Sequence, residues 1–271
     1  IGEGPFFEPN IRATEVKLKQ NMNVESQNHW PSLKFDFLSI NNLFSRFFAA
    51  GFYYKTFMWP RAAWKYLFEP MIRRASGLGN APSEYDEEHY EHIYHHTDVL
   101  IIGGGLAGIT AAKALRGRGL SIMLCEKDCV IGGRYLEDCN LENQERYKKL
   151  HKSSMEILKK SKDISVKLNT TVTGIFDHGF VLAYEENQHS NTATKKALWK
   201  IRAKTIILCT GAIERPLVFP DNDLPGIMLA ASVRAYLQKY GVLLGDQLVL
   251  TTNNDYAYKT VIELKRRGID V

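Results

Sequence analysis

The stretch Asp98-Val99-Leu100-Ile101-Ile102-Gly103-Gly104-Gly105-Leu106-Ala107-Gly108 decides the fold of this chain. Branched apolar residues fill positions 99–102, as in a parallel strand covered on both faces, and glycines then precede a segment with helical spacing. We predict that Gly103 permits the tight turn, Gly105 lets a pyrophosphate approach the backbone, and Gly108 lets the helix pack closely on the strand. The helix, over residues 106–116, directs its free N–H groups and positive dipole end at the phosphates.

The residues after this turn supply a second strand and an acidic residue. Residues 121–125 form another apolar run, and Glu126 follows it, eighteen positions after Gly108. A carboxylate at that position accepts hydrogen bonds from the ribose of adenosine, and its charge repels the 2′-phosphate of NADP. Lys127 beside it weakens that discrimination. A glycine turn also occurs in ordinary βαβ units, but the complete pattern favours a dinucleotide site.

Two further turns place backbone beside the same ligand. Gly132-Gly133 predicts another close approach, with Arg134 as a charge-assisted donor to a phosphate. A buried strand over residues 204–209 ends at Thr210-Gly211, a second place where backbone meets the dinucleotide. Three short strands between these turns predict an antiparallel meander: residues 171–175, which include Val172, 180–184 and 198–201. The sequence therefore predicts an α/β, Rossmann-like fold with a central parallel sheet and an inserted antiparallel β-meander.

A second dinucleotide-like lobe begins near residue 241. Residues 247–252 predict a strand and residues 256–267 a helix, but Asn253-Asn254-Asp255 stands where a second glycine turn belongs. Side chains there fill the space of a pyrophosphate, and the charge of Asp255 repels it. We predict that this lobe keeps the fold and has lost its dinucleotide. A complete nicotinamide-to-flavin reductase, which needs two bound dinucleotides, is therefore disfavoured.

The first 96 residues carry an aromatic-rich segment and a linker. Residues 30–68 combine many aromatic side chains with Lys and Arg, which favours an interface with a partner or packing against the chain's own sheet. Residues 76–94 predict an exposed linker. The chain begins at Ile1 and ends within a predicted strand, so we expect it to be part of a longer polypeptide. The predicted domains are residues 1–96, 97–240 and 241–271.

Composition argues against several function classes. The 271 residues carry 35 basic and 30 acidic side chains, and a net charge of +5 does not indicate nucleic-acid binding. We predict no membrane span and see no signal peptide. The four cysteines include no C-x-x-C pair, and the histidines of residues 89–96 match no zinc spacing, so we predict no metal site. Free cysteines favour a reducing, cytoplasmic compartment.

Five segments together carry a more specific resemblance: EPNIRAT at residues 8–14, WPSLKFD at 30–36, AGFYYKTFMWP at 50–60, TGAIERPLVF at 210–219 and TNND at 252–255. On these segments the chain resembles the alpha subunit of bacterial heterotetrameric sarcosine oxidase. The resemblance runs through essentially the whole chain and includes the Asn-Asn-Asp turn, which generic reductases lack. Related amine and opine oxidases share this organisation, so the substrate is implied by the resemblance alone.

The resemblance implies a four-subunit enzyme that oxidatively demethylates sarcosine to glycine. Oxygen becomes hydrogen peroxide, and the one-carbon unit leaves as formaldehyde or passes to tetrahydrofolate. The beta, gamma and delta subunits would be the partners, with amine oxidation at an FAD in the beta subunit and a covalent FMN at the alpha–beta boundary. This chain would carry NAD in its first lobe and no catalytic residue.

The predicted cofactor-binding residues are Gly103, Gly104, Gly105, Ala107, Gly108, Glu126, Lys127, Gly132, Gly133, Arg134, Val172, Thr210 and Gly211. Two alternatives use the same residues. One is a self-sufficient oxidoreductase with FAD at this site, and the other is a scaffold that keeps NAD as a permanent structural element. The colour of the protein separates flavin from nicotinamide, because only the flavin is yellow.

Overall fold

The computed structural model describes residues 2–3, 6–11, 16, 18, 20–27, 29–32, 34–47, 51, 57, 59–79, 89–137, 144–186, 194–222, 224 and 226–271. The chain forms two compact units, Ile1–Glu87 and Glu88–Val271. Each unit is described by itself below.

The first unit contains short strands and helical turns. Strand β1 (Gly2–Glu3) pairs antiparallel with β2 (Phe6–Phe7) and β3 (Met22–Asn23), and β4 (Pro31–Ser32) pairs with β5 (Phe35–Asp36). A 3-10 helix follows over Phe37–Phe47. Helix α1 (Arg61–Ala63) continues through a π-helical turn, Trp64–Phe68, into α2 (Glu69–Ala75). None of the residues in these four helical segments is buried.

Within the aromatic-rich segment, neighbouring rings pack on one another. The ring centroids of Phe35 and Phe37 lie 4.7 Å apart in an edge-to-face arrangement, and those of Trp30 and Phe37 lie 5.8 Å apart. Residues 48–50, 52–56 and 58 lie outside the described part of the chain. The choice between a partner interface and packing on the chain's own sheet therefore stays a prediction.

The second unit is built on a six-stranded sheet with the order β8-β7-β6-β11-β10-β9. Its strands are β6 (His89–Ile102), β7 (Ile122–Cys125), β8 (Ile164–Lys167), β9 (Thr170–Phe176), β10 (Phe180–Glu186) and β11 (Thr194–Leu208). The neighbours among β8, β7, β6 and β11 are parallel, whereas β11, β10 and β9 pair antiparallel as a meander. The predicted fold class is confirmed.

Helices cover this sheet or follow it along the chain. They are α3 (Leu106–Leu115), α4 (Arg134–Glu137), α5 (Gln144–Lys160), α6 (Ala230–Tyr240) and α7 (Tyr258–Arg266). Helix α3 buries Gly108, Ile109 and Ala112, and Leu158 of α5 joins the same apolar cluster. The other face of the central strands packs under the meander, where Val181 and Ile201 are fully buried. Residues 99–102 of β6 and all four residues of β7 are apolar and buried, because both faces of the sheet are covered there.

The linker prediction is wrong for residues 89–94, which begin strand β6. Strand β11 supplies a parallel partner along this stretch, with Tyr94 opposite Lys200 and Thr97 opposite Ala203. A polar segment can form a strand when it continues the ladder of a neighbouring strand, since its backbone groups are then paired. The predicted boundary between residues 96 and 97 falls inside β6, and residues 80–88 of the linker lie outside the described residues.

The third meander strand and the strand that leads to Thr210 are one continuous element, β11. They were expected as separate strands over residues 198–201 and 204–209. Arg202 and Ala203 continue the pairing with β6, and Arg202 also pairs with Phe180 of β10. Because no residue between them leaves the ladder, the two predicted strands merge.

The predicted second lobe, residues 241–271, follows α6 and contains the irregular residues 247–252 and α7. The predicted strand over residues 247–252 is reduced to one parallel bridge, between Gln247 and Asp270, and a hydrogen bond from Leu248 N to Asp270 O. The predicted helix is present: a 3-10 turn, Asp255–Ala257, leads into α7.

Candidate dinucleotide site

The glycine turn after β6 holds two glycines that the chain's own packing requires. Gly103 has φ +104°, and a Cβ there would overlap the carbonyl oxygen of Cys209. A Cβ on Gly108 would overlap the carbonyl oxygen of Gly103. The Gly103 N–H donates to Cys125 O at 2.8 Å, which ties the turn to the end of β7. The packing role predicted for Gly108 is therefore present in the structure.

Gly105 differs from both of these glycines. Its φ of −70° is one that any residue adopts, and a Cβ there would meet no atom of the described residues within 4 Å. Neither backbone strain nor packing inside the protein requires glycine at this position. The space above it fits the close approach of a phosphate group to the backbone.

The first turn of α3 presents backbone donors beside this space. Gly105 is the N-cap, and no side chain caps the helix. The first intrahelical bond runs from Ile109 N to Gly105 O, so the N–H groups of Leu106, Ala107 and Gly108 have no acceptor within the helix. Such an uncapped N-terminus beside open space fits an anion.

Glu126 lies at the edge of the turn and is only 8% exposed. Its Oε2 accepts from Gly104 N at 2.5 Å, and its Oε1 accepts from Asp128 N at 2.9 Å. A carboxylate offers about four acceptor positions, so two remain for ribose hydroxyls. Lys127 is exposed beside it.

The double glycine packs directly against the first glycine turn. Gly132 N donates to Gly104 O at 2.8 Å, and a Cβ on Gly133 would lie 3.3 Å from the Cα of Gly105. His151 of α5 supports this segment through a 2.5 Å hydrogen bond between its Nε2 and Ile131 O. The two glycine turns therefore form one continuous backbone surface.

The structure places the side chain of Arg134 on the second-lobe side of this surface. Its Nη1 donates to Ala212 O at 3.2 Å, its Nη2 lies 3.8 Å from Glu214 Oε1, and its guanidinium stacks 5.0 Å from the ring centroid of Tyr256. Its predicted contact with a phosphate stays a prediction.

The strand β11 brings the Thr210-Gly211 turn beside Gly103. Cys209 N donates to Ile102 O at 2.8 Å, and Gly211 has φ +72° with open space around its Cβ position. Val172 lies in β9 and packs against the buried cluster under the meander, so its side chain is a core contact. We call residues 103–108, Glu126, 132–133 and 210–211 the first cradle.

The cysteine beside the first cradle is not poised for redox chemistry. Burial raises the pKa of the Cys125 thiol to about 12, so it stays protonated and weakly nucleophilic. Among the described residues, no group of three His, Cys, Asp or Glu side chains could hold a metal ion. None of the described helices is long and apolar enough to cross a membrane.

The family model for pyridine nucleotide-disulphide oxidoreductase matches residues 97–249. The chain belongs to this family. Over its whole length it is 40% identical to the sarcosine oxidase subunit alpha of Rhizobium meliloti, and over 71% of its length it is 34% identical to that of Corynebacterium sp. strain P-1. The predicted resemblance to sarcosine oxidase alpha subunits is confirmed. The chain spans 28% and 21% of the lengths of these two relatives.

Among solved structures, this chain is similar to the L-proline dehydrogenase from P. horikoshii. It is 27% identical, with a TM-score of 0.51, over 70% of this chain and 37% of its own. This likeness agrees with the fold described above for a member of the pyridine nucleotide-disulphide oxidoreductase family.

In this family member the second-lobe turn is closed by its own side chains. Asn254 Oδ1 accepts from Tyr256 N at 3.0 Å and caps the helical turn, and Thr252 Oγ1 accepts from Asn254 N at 3.2 Å. The donors that a phosphate would use in a glycine turn are thus engaged by the chain itself. The predicted loss of a dinucleotide from this lobe is consistent with that geometry.

The sequence did not indicate the residues that support the first cradle from outside. Asp128 holds Glu126, His151 holds Ile131, and Lys239 of α6 contacts Asp128. Asp128 lies two positions from Glu126, whereas His151 and Lys239 lie 20 and 111 positions from their partners and follow no local spacing. Only the three-dimensional structure shows that these side chains lie beside the first cradle.

Proposed function

We propose that this chain is the NAD-carrying part of the alpha subunit of a sarcosine oxidase, with NAD in the first cradle. The single observation that carries the proposal is the space above Gly105, a glycine that the fold itself does not need, beside the uncapped N-terminus of α3. The identity of 40% over the whole chain to a sarcosine oxidase subunit alpha supports the assignment.

In this proposal each part of the first cradle holds a part of the dinucleotide. The backbone at Gly105, Ala107 and Gly108 would bind the pyrophosphate, and Glu126 would accept from the ribose hydroxyls. The backbone of Gly133 and of Thr210-Gly211 would line the remainder. NAD, when bound, supplies a hydride acceptor.

At the level of the assembly, we propose oxidative demethylation of sarcosine to glycine by oxygen, with flavin chemistry in a partner subunit. Hydrogen peroxide and formaldehyde or methylenetetrahydrofolate would be the products, FAD and FMN the flavins, and beta, gamma and delta subunits the partners. The aromatic-rich segment would contribute to the partner interface. We expect the assembly to work in the cytoplasm.

The alternative places FAD in the first cradle and makes the chain a self-sufficient oxidoreductase. It is retained because Gly105, the α3 N-terminus and Glu126 would contact only the ADP half, which NAD and FAD share. These contacts therefore fit both cofactors equally.

The test is to denature the purified full-length protein and identify the released nucleotide by absorbance and mass. NAD released from the subunit that contains this chain supports the proposal. FAD released from that subunit establishes the alternative, and no released nucleotide together with no ADP binding contradicts both. Separating the subunits before denaturation is the control for flavin that belongs to a partner.

A further inference from the structure

One lysine of helix α6 contacts two acids that flank the double glycine. Lys239 Nζ lies 3.2 Å from Asp128 Oδ2 and 2.8 Å from Glu137 Oε1, and its side chain is 25% exposed. Residues 128 and 137 enclose the Gly132-Gly133 turn. A single cation therefore ties together both ends of the loop that carries this turn.

The three charges form a partly buried network rather than an isolated surface pair. Burial lowers the pKa of Lys239, but the hydrogen bond to Glu137 and the charge of Asp128 outweigh it, so the pKa lies above its ordinary value. The lysine stays charged throughout the neutral range. Networks of this kind constrain geometry more than exposed ion pairs do.

The held loop also positions the parts of the first cradle that face the ligand. Asp128 N donates to Glu126 Oε1, and Gly132 N donates to Gly104 O. A displacement of Asp128 therefore reaches the ribose-binding carboxylate. A displacement of the segment before Glu137 reaches the double glycine and, through it, the turn at Gly104.

A second tie reaches the same loop from the second lobe. The guanidinium of Arg134, three residues before Glu137, lies 5.0 Å from the ring centroid of Tyr256, the middle residue of the 3-10 turn that leads to α7. Arg134 also donates to Ala212 O, next to Thr210-Gly211. The stack connects the loop to the second-lobe turn, and the hydrogen bond connects the loop to the segment that follows β11.

We infer that α6 and the Tyr256 turn act as a clamp on the first cradle, with Lys239 and Tyr256 as positioning residues that slow the release of the nucleotide. This inference rests on the proposed function, because it needs a nucleotide in the first cradle. It gives the second lobe a role in holding the ligand of the first lobe.

The test measures ADP dissociation from the full-length protein after its nucleotide has been removed. ADP is used because NAD and FAD share it. We expect Lys239→Met to raise the dissociation rate about tenfold, with little change in the association rate. Lys239→Arg should restore a rate close to that of the wild type. Lys204→Met is the matched control, because Lys204 also pairs with a carboxylate, 2.6 Å from Asp98 of β6, and neither residue belongs to the first cradle.

A purely structural role would move the melting temperature of the nucleotide-free protein and leave the dissociation rate unchanged. That result overturns the clamp but leaves the proposed function intact, as does a rate for Lys239→Met equal to that of the wild type. Failure of the wild type to bind ADP overturns both. If Lys239→Met does not fold, the double variant Asp128→Asn with Glu137→Gln is measured instead, because it removes both partners of Lys239. The clamp requires this double variant to raise the dissociation rate of ADP as well.

Discussion

At the scale of single residues, the glycines of the first cradle are of two kinds. Gly103 and Gly108 are fixed by contacts inside the protein, because a Cβ on either would overlap a backbone carbonyl oxygen. Gly105 has ordinary backbone angles and open space. The fold requires glycine at positions 103 and 108, whereas only a bound ligand would require it at position 105. Substitutions can therefore test the two requirements separately.

We expect Gly105→Val to weaken nucleotide binding while the nucleotide-free protein keeps its melting temperature. The side chain would enter the space proposed for the pyrophosphate, and a loss of at least about tenfold in ADP affinity follows from blocking one phosphate contact. Gly103→Val should instead lower the melting temperature, since φ +104° is strained for valine. Titration calorimetry and thermal unfolding measure the two effects. Undiminished ADP binding by Gly105→Val would refute the placement of the pyrophosphate.

We expect Glu126→Gln to destabilise the first cradle even without nucleotide. Two backbone N–H groups point at the carboxylate, from Gly104 and Asp128, and an amide presents one NH₂ group to a donor. The buried mismatch costs about 1–3 kcal/mol. Chemical denaturation checks this value. A cost below that range would mean that the side chain relaxes away from one donor.

The local pattern was sufficient to predict the packing role of Gly108, because that role acts within one βαβ unit. The ribose contact of Glu126 stays a prediction. The local pattern was not sufficient for Lys239, which lies 111 positions from its partner Asp128. Nor did it indicate that the side chain of Val172 would be a core contact. A meander residue points inward or outward according to the register with its neighbouring strands, which the sequence alone does not fix.

At the scale of elements, a side chain of the second-lobe turn accepts a backbone hydrogen bond that a phosphate would accept in a glycine turn. Asn254 accepts from Tyr256 N, as an N-cap does, at the start of the turn that leads to α7. The element is thereby complete without a phosphate. The helix that follows it was predictable from periodicity, whereas the strand predicted before it is only a single bridge. The extension of β6 through His89 depended on the length of β11, a partner distant in sequence.

We expect Asn254→Ala to lower the free energy of unfolding by about 1 kcal/mol, the usual effect of losing an N-cap. Asn253→Ala is the control, because Asn253 is exposed and its Oδ1 accepts only from the Asn254 side chain among the hydrogen bonds described. Denaturant unfolding of the two variants measures the difference. Equal stability of both would show that the cap contributes nothing.

Asp98 of β6, which lies between β7 and β11, makes the stability of the fold depend on acidic pH. The hydrogen bond from Lys204, followed by bonds from Ser121, lowers the pKa of Asp98 to about 2 from 3.8. A lowered folded-state pKa stabilises the fold above the unfolded value, and this contribution is lost as the pH falls through about 2. Asp98→Asn should therefore flatten the decline of the melting temperature between about pH 4 and pH 2. If the melting temperature of Asp98→Asn falls with pH as steeply as that of the wild type, other carboxylates cause the decline.

At the scale of the whole molecule, the chain divides its tasks between two units. The unit Glu88–Val271 holds the first cradle and has a buried core, whereas no residue of the described helical segments in Ile1–Glu87 is buried. Large apolar side chains in the first unit stay open to solvent, among them Leu43, Phe47 and Trp59. Exposed aromatic surface of this extent is typical of a binding surface for another protein.

If the first unit binds a partner subunit, a charge at Phe47 or Trp59 should release that partner while the nucleotide stays in the first cradle. Both side chains are more than three-quarters exposed, at 76% and 84%, so a carboxylate there changes the surface rather than the interior of the described part of the unit. Phe47→Glu and Trp59→Glu are compared with Asn42→Glu, which adds the same charge at an exposed polar position of the 3-10 helix. Size-exclusion chromatography with light scattering reports the assembly, and nucleotide released on denaturation reports the first cradle. Assembly retained in both aromatic variants would assign these side chains to packing within the chain, and loss of nucleotide with the partner would show that the two units do not act independently.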